Sequence, residues 1–247
     1  MTADPLPGSP PGFASPEAIV GHGRHAAKLA RSLYSGRIAA YLREAIIAGE
    51  LPVHTALVES RLAESLSVSR GPVRSALTVL EGEGLVHTRP NGRVESMGFT
   101  GDDLADLFRV RYELESTGMR WGLAAGASLE PVQDAMRAIE AEGVASKRLV
   151  EMDIDFHRAL LEFSGSRFLV QSWLALAPVI QAVITIGNRR LVDQEPASHF
   201  TRIVESHRGV VDALVARDGA RATELLGSQF ALTQSMFSPT PSARKDA

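Results

Sequence analysis

Between Ile38 and Leu80 the apolar residues recur in three short runs at helical spacing. Ile38, Leu42, Ala45 and Ile46 make the stripe of a first helix. Leu62, Ala63 and Leu66 make that of a short second helix, and Leu66-Ser67-Val68 reads as the turn into a third. In the third, Val73, Ala76, Leu77 and Leu80 fall at i, i+3, i+4 and i+7, with Ser69 in place to cap the helix. After Gly84 the period changes. Leu85-Val86-His87-Thr88 and Arg93-Val94-Glu95-Ser96-Met97 read as two short strands, joined by Arg89-Pro90-Asn91-Gly92, whose Asn-Gly pair tolerates positive φ. Three helices followed by such a hairpin predict a winged helix, with the hairpin as its wing.

From Asp102 onward only helical periodicity remains. Segments near 102–124, 129–143, 147–164, 167–190, 198–216 and 220–236 keep period 3.6, with breaks at Gly126, Gly143, Gly165 and Gly219. Pro178 interrupts the apolar run from Trp173 to Ile186, and is expected to kink that helix or divide it in two. The fold class is therefore mainly α: an N-terminal winged helix-turn-helix followed by an all-α bundle of six or seven helices. Residues 1–23, with Pro5, Pro7, Pro10, Pro11 and Pro16 among Gly and Ser, read as a disordered tail, as do residues 239–247. Between them lie a winged helix with a basic arm at 24–98 and a helical domain at 99–238.

The polar residues within apolar stripes carry the chemistry. On the first bundle helix Leu104, Leu107, Phe108, Leu114 and Trp121 define a buried face, with Asp106, Arg109, Glu113 and Arg120 opposite. Arg111 and Glu115 fall on the buried side, where a charged pair is either a structural ion pair or the wall of a pocket. Guanidinium is well shaped to clamp a ligand carboxylate, so Arg111 is a candidate ligand contact. On the third bundle helix Val150, Ile154, Leu160 and Leu161 set the stripe, Asp155, Arg158 and Glu162 face water, and Asp153 and His157 sit inside the stripe one turn apart. His207 is flanked by Ile203, Val204, Val210, Val211 and Leu214, and Gln229 by Leu225, Leu226 and Leu232. A lone histidine on such a face is ordinarily a core residue with a satisfied partner. A carboxylate, an imidazole four residues on and a second interior imidazole also compose a two-His-one-carboxylate metal site, provided the helices converge. The remaining histidines, His22, His25, His54 and His87, read as solvated, and His199 as a surface residue.

In the first domain Arg70 and Arg74 stand one turn apart near a helix N-terminus, away from the apolar stripe. That end of a recognition helix enters the major groove, where arginine bonds guanine edges or phosphates with two prongs. Net charge is −3, so no broad cationic field draws nucleic acid, and affinity must come from local placement. One exception is the run Arg24, Lys28, Arg31, Arg37 and Arg43, which has no acidic residue between Glu17 and Glu44 and either lies along phosphates or forms a solvated face. The chain has no cysteine, which excludes disulfides and thiolate chemistry. No uninterrupted apolar span reads as long enough for a bilayer and no signal peptide opens the chain, so a soluble, cytoplasmic protein without membrane contact is expected.

The stretch Leu62-Ala63-Glu64-Ser65-Leu66-Ser67-Val68-Ser69-Arg70-Gly71-Pro72-Val73-Arg74, followed by Glu83-Gly84-Leu85-Val86, resembles the GntR family of bacterial transcription regulators. By that resemblance Arg70 and Arg74 contact bases and phosphates, Ser69 and Gly71 bring backbone close to phosphate, and Gly92 and Arg93 lie at a wing tip that approaches the minor groove. Pro52-Val53 stands where the family has Pro-Gly, and Gly71 where it has a small polar residue. Leu107-Phe108-Arg109-Val110-Arg111-Tyr112-Glu113-Leu114-Glu115 and Asp153-Ile154-Asp155-Phe156-His157-Arg158-Ala159-Leu160 resemble the FCD effector domain of the FadR-type branch. The resemblance implies a divalent metal beside an effector pocket, with Asp153, His157 and His207 on three of its ligand positions. Gln229 stands where a further histidine is expected, and Ser166 where an asparagine is frequent. An amide oxygen is a poorer ligand than imidazole, and zinc, nickel and manganese are not separated by these ligand types.

Together these features predict a ligand-responsive transcription regulator, by family habit a repressor, that binds double-stranded operator DNA as a homodimer and is controlled by a small carboxylate-bearing metabolite. Two alternatives remain. One is a metal-dependent helical enzyme with a nucleic-acid-binding appendage, against which stands the absence of a nucleophile motif, phosphate loop or dinucleotide fingerprint. The other is a winged helix that binds protein alone, leaving Arg70 and Arg74 as ordinary solvated arginines.

Overall fold

The computed structural model describes residues 24–142, 148–192 and 196–235. The expected disordered segments 1–23 and 239–247 lie outside it, as do the side chains of Arg24, His25, Lys28, Arg31 and His199. The chain divides into two compact units after Thr100.

In the first unit α1 (Arg24–Ile47), α2 (Glu59–Ser65) and α3 (Arg70–Gly82) are followed by β1 (Val86–Thr88) and β2 (Val94–Ser96). The expected stripes are buried: Ile38, Leu42, Ala45 and Ile46 from α1 pack with Val73, Ala76, Leu77 and Leu80 from α3. The strands pair antiparallel, with Val86 opposite Ser96 and Thr88 opposite Val94. Gly92 takes φ +79° at the wing tip, where Arg89 N–H donates to the Arg93 carbonyl at 2.8 Å. Residues 54–57 run along the other edge of β2, a pairing that the sequence pattern did not reveal.

Two expectations need correction here. Ser69 occupies the N-cap with extended backbone, but its hydroxyl makes no capping hydrogen bond. The third residue of α3 is Pro72, which has no N–H to offer a cap. Arg43 belongs neither to a solvated face nor to a phosphate-facing arm. It is 8% exposed, and its Nε and Nη2 donate to both oxygens of Glu83 at 2.7 and 2.6 Å, tying α1 to the end of α3.

The second unit holds six helices among the described residues: α4 (Gly101–Ala125), α5 (Glu130–Ala141), α6 (Leu149–Glu162), α7 (Arg167–Val192), α8 (Pro196–Val215) and α9 (Gly219–Ser235). Helix α4 is central and packs against α6, α7 and α9. Its buried face differs from the expected one. Leu114 is half-buried and Trp121 is 48% exposed, whereas Gly118 and Gly122 are buried. A Cβ at Gly118 would stand 2.6 Å from the Leu160 carbonyl oxygen, and one at Gly122 would stand 2.2 Å from the Phe163 ring. The small residues let α6 approach closely and turn the larger Trp121 outward.

Helix α7 is continuous through Pro178 and is not divided there. Contrary to the expectation of no bilayer-length span, Arg167–Arg189 is long and apolar enough to cross a membrane by length and composition, with a mean hydropathy of 1.8. Half of that apolar window is buried in the bundle, including Trp173, Ile180 and Val183. The buried half supplies apolar side chains to the core of the bundle.

Candidate functional site

Arg111 of α4, Asp153 and His157 of α6, His207 of α8, and Gln229 and Phe230 of α9 line a single cavity of about 440 Å³. Leu149, Val150, Ile184, Ile203 and Leu225 supply apolar wall between them. Each helix contributes polar groups from an otherwise apolar stripe, so packing of the stripes brings those groups together.

Glu115 organises the inner wall. Its Oε1 accepts from Arg111 Nε at 2.8 Å and from Trp173 Nε1 at 3.1 Å, while Oε2 accepts from His157 Nδ1 at 2.6 Å. A carboxylate only accepts, so the His157 proton sits on Nδ1 and Nε2 presents a lone pair. His207 is fixed in the same sense, because its Nδ1 donates to the Ile203 carbonyl at 2.7 Å. Its Nε2 then faces Asp153 Oδ1 at 3.1 Å. In the neutral imidazole this sets a lone pair against a carboxylate oxygen, an arrangement stabilised by a cation between them.

The ligand atoms of Asp153, His157 and His207 all lie within 4.8 Å of one another. Gln229 has a buried amide whose oxygen and nitrogen both lack hydrogen-bond partners among the described residues. Three convergent lone pairs, each imidazole anchored through its other nitrogen and a neutral amide without a partner beside them, fit a divalent metal.

Charge in this wall is strongly perturbed. Burial and the Arg111 cation push the His157 pKa below its ordinary value despite Glu115 and Asp153 beside it, so the imidazole is neutral. Burial opposes the charged form of Asp153, but the protonated forms of His157 and His207, together with Arg111, outweigh it and hold the carboxyl well below the usual carboxylate range. Glu115 is likewise lowered against its burial by His157 and Arg111. Arg111 is 2% exposed and lies over the Phe230 ring at 4.3 Å from its centroid, with Phe108 at 5.7 Å. Its Nη2 is buried and makes no hydrogen bond among the described residues, which leaves one donor edge for an anion.

In the winged helix Ser69, Arg70, Gly71 and Arg74 are all exposed at the start of α3, and Gly92 and Arg93 are exposed on the wing. Arg74 donates through Nε and Nη2 to both oxygens of Glu59, each at 2.9 Å. On the wing Arg89 and Arg93 meet the Glu95 carboxylate at 2.8 and 3.1 Å, and His54 meets it at 3.5 Å. The hydrogen bond from Arg89 holds Glu95 below the ordinary carboxylate range, helped by the charge of Arg93. Sequence reasoning missed Glu59, Glu95, Trp173 and the positioning role of Glu115. Glu95 carried a local signal, because it lies two residues from Arg93 on one strand and so on the same face, and Glu115 carried one as the i,i+4 partner of Arg111.

Residues 106–231 match the FCD domain and residues 34–95 match the bacterial regulatory proteins of the gntR family. The chain belongs to the GntR family, in the branch that carries an FCD domain. It is 28% identical over 200 residues to the gluconate operon transcriptional repressor of Bacillus subtilis, covering 78% of this chain and 81% of that protein. It is 28% identical over 211 residues to the HTH-type transcriptional repressor GlaR of Escherichia coli, covering 81% of this chain and 91% of that protein. In fold it resembles the solved structure of Lar, from Listeria monocytogenes, with a TM-score of 0.63 at 19% identity over 82% of this chain and 95% of that one. This GntR protein is a ligand-responsive, DNA-binding transcription regulator and not an enzyme.

Proposed function

We propose that this GntR regulator represses transcription as a homodimer on a pseudo-palindromic operator, and that a small carboxylate in the FCD cavity releases it. The carrying observation is Arg111: a buried guanidinium with an unpartnered Nη2, stacked on Phe230 in a cavity wall beside convergent metal-type ligands. Such a cation stays buried with low penalty when an anion completes its bonds. The operon named for the Bacillus subtilis relative is that of gluconate, itself a small carboxylate.

Asp153, His157 and His207 would hold a divalent metal, zinc, nickel or manganese, with Gln229 Oε1 as a neutral fourth donor. When bound, the metal supplies a Lewis-acid anchor for the effector's oxygen atoms. Arg111 orients the carboxylate, Phe230 holds the guanidinium plane, and Ile203 and Glu115 hold the two imidazoles in register. Ser69, Arg70, Gly71 and Arg74 contact the major groove, and Gly92 and Arg93 the wing-side minor groove. Release requires that the effector bind one dimer geometry more tightly than the DNA-bound one.

The test is fluorescence anisotropy with the chain's own upstream DNA against scrambled competitor at moderate ionic strength, followed by a panel of small carboxylates. Preference for the upstream fragment, its loss in Arg74→Ala, and release by a carboxylate that fails to release Arg111→Met are expected. Equal binding to scrambled DNA under all conditions would overturn the regulatory reading. Release of Arg111→Met by the same acid at the same concentration would overturn the cavity assignment.

A further inference from the structure

We propose that Glu115 is the positioning residue that ties the two recognising ends of the cavity together, setting the tautomer of His157 and the heading of Arg111 at once. The inference rests on reading the cavity as the effector and metal site. Glu115 is fully buried, and both oxygens are committed: Oε2 to His157 Nδ1 at 2.6 Å, Oε1 to Arg111 Nε at 2.8 Å and Trp173 Nε1 at 3.1 Å. The three donors come from three helices, α6, α4 and α7. Among uncharged side chains of the same shape none can replace it, because all three neighbours donate and only a carboxylate accepts on both sides.

Glutamine shows why. If its oxygen faces Arg111 and Trp173, its NH₂ faces His157 Nδ1 and forces the imidazole proton onto Nε2, the nitrogen that looks toward Asp153 and His207. If the amide turns over, His157 keeps its tautomer, but the NH₂ opposes the N–H groups of Arg111 and Trp173 and the guanidinium loses its brace. One end of the cavity fails in either orientation. A purely structural ion pair would make no such distinction: its loss would lower stability and leave the His157 tautomer untouched.

The experiment uses the full-length chain with Trp121→Phe, which leaves Trp173 as the sole tryptophan. Nickel alone is titrated by calorimetry and by Trp173 emission. In Glu115→Gln nickel affinity falls by roughly 10–100-fold, the range for an outer group that orients a ligating histidine. Histidine ring nitrogen NMR of the parent places the His157 proton on Nδ1, and this measurement decides the matter if Glu115→Gln does not fold. Nickel affinity of Glu115→Gln within threefold of the parent, or a parent His157 protonated at Nε2, would sink the proposal. Nickel binding that survives His157→Ala, or no nickel binding by the parent, would instead remove the metal assignment. The tautomer spectrum then settles the role of Glu115 by itself.

Discussion

Glu59, in the first turn of α2, holds Arg74 of α3 by both carboxylate oxygens at 2.9 Å, on the surface where α3 would meet DNA. The Arg74 side chain is 70% exposed, so the pair contributes little to folding. If Arg74 contacts DNA as proposed, Glu59 competes for its guanidinium. Glu59→Gln removes both the competitor and a negative charge near phosphate, and is expected to tighten non-specific DNA binding several-fold while narrowing the ratio of specific to non-specific affinity. Arg74→Ala is expected to cost about 1–3 kcal/mol of specific affinity. Anisotropy titrations of the upstream fragment and of scrambled DNA at two salt concentrations check both. An unchanged non-specific affinity in Glu59→Gln would show that Glu59 does not compete with DNA for Arg74.

Gln229 offers an amide where an imidazole would bind a borderline metal more tightly, and the amide has no competing hydrogen bond among the described residues. Gln229→His is therefore expected to raise nickel or zinc affinity by on the order of tenfold. Calorimetry against a competing chelator measures it. No change would mean that position 229 does not reach an ion bound at Asp153, His157 and His207.

Acid is expected to weaken the metal-free helical domain in two stages. The His157 pKa is lowered in the folded state, so its contribution is complete above the unfolded value of about 6.5 and is lost as pH falls below it. Asp153 and Glu115 are also lowered, so their contributions are present above about pH 4 and disappear as pH falls through their depressed folded values. All three act in the same direction. The melting temperature in chelator should decline from pH 7.5 toward pH 5, then more steeply below pH 4. His157→Gln should flatten the upper stage only, and a wild-type melting temperature that rises on acidification would contradict the neutral buried imidazole.

Much of this architecture could be read along the chain, because local period encodes it. Val73, Ala76, Leu77 and Leu80 declare their buried face by spacing alone, as does His157 on α6, with the half-buried Asp153 one turn before it. The convergence of α6, α8 and α9 onto one cavity entered through the family resemblance, not through spacing. What periodicity cannot encode is which separate helices meet. Glu115 finds His157 across 42 residues and Trp173 across 58, and Glu59 finds Arg74 across 15. The angular position of Trp121 on α4 lies near the apolar stripe, yet the side chain is 48% exposed. The close approach of α6 at Gly118 and Gly122 overrode that preference.

Ser67 sits in the turn between α2 and α3 with φ +53°, a left-handed conformation that costs an L-residue about 1–2 kcal/mol. Its side chain is exposed. Glycine relieves the strain and gives back part of the gain through its greater freedom in the unfolded chain. Ser67→Gly should stabilise the winged helix by about 0.5–1 kcal/mol, read as a shifted urea midpoint. Ser67→Ala should give no stabilisation, and an equal gain there would place the effect in the hydroxyl and not in the backbone.

Gly118 links packing to the site. It lies three residues beyond Glu115 on α4, and a Cβ there would meet backbone atoms of Leu160 and Leu161, with 2.6 Å to the Leu160 oxygen. Backbone cannot turn aside as a side chain can, so Gly118→Ala must push α6 away from α4 at a point one turn from His157. Overpacking of this kind costs about 1–3 kcal/mol, which thermal melts of the helical domain would register. The same displacement stretches the 2.6 Å bond between Glu115 and His157, so nickel affinity should fall together with stability. Gly122→Ala meets the Phe163 ring instead, at a site farther from the cavity. It should lower stability while leaving nickel affinity nearly unchanged, and an equal loss of affinity in both variants would mean that general loosening of the bundle, not the α4–α6 spacing at Glu115, controls the site.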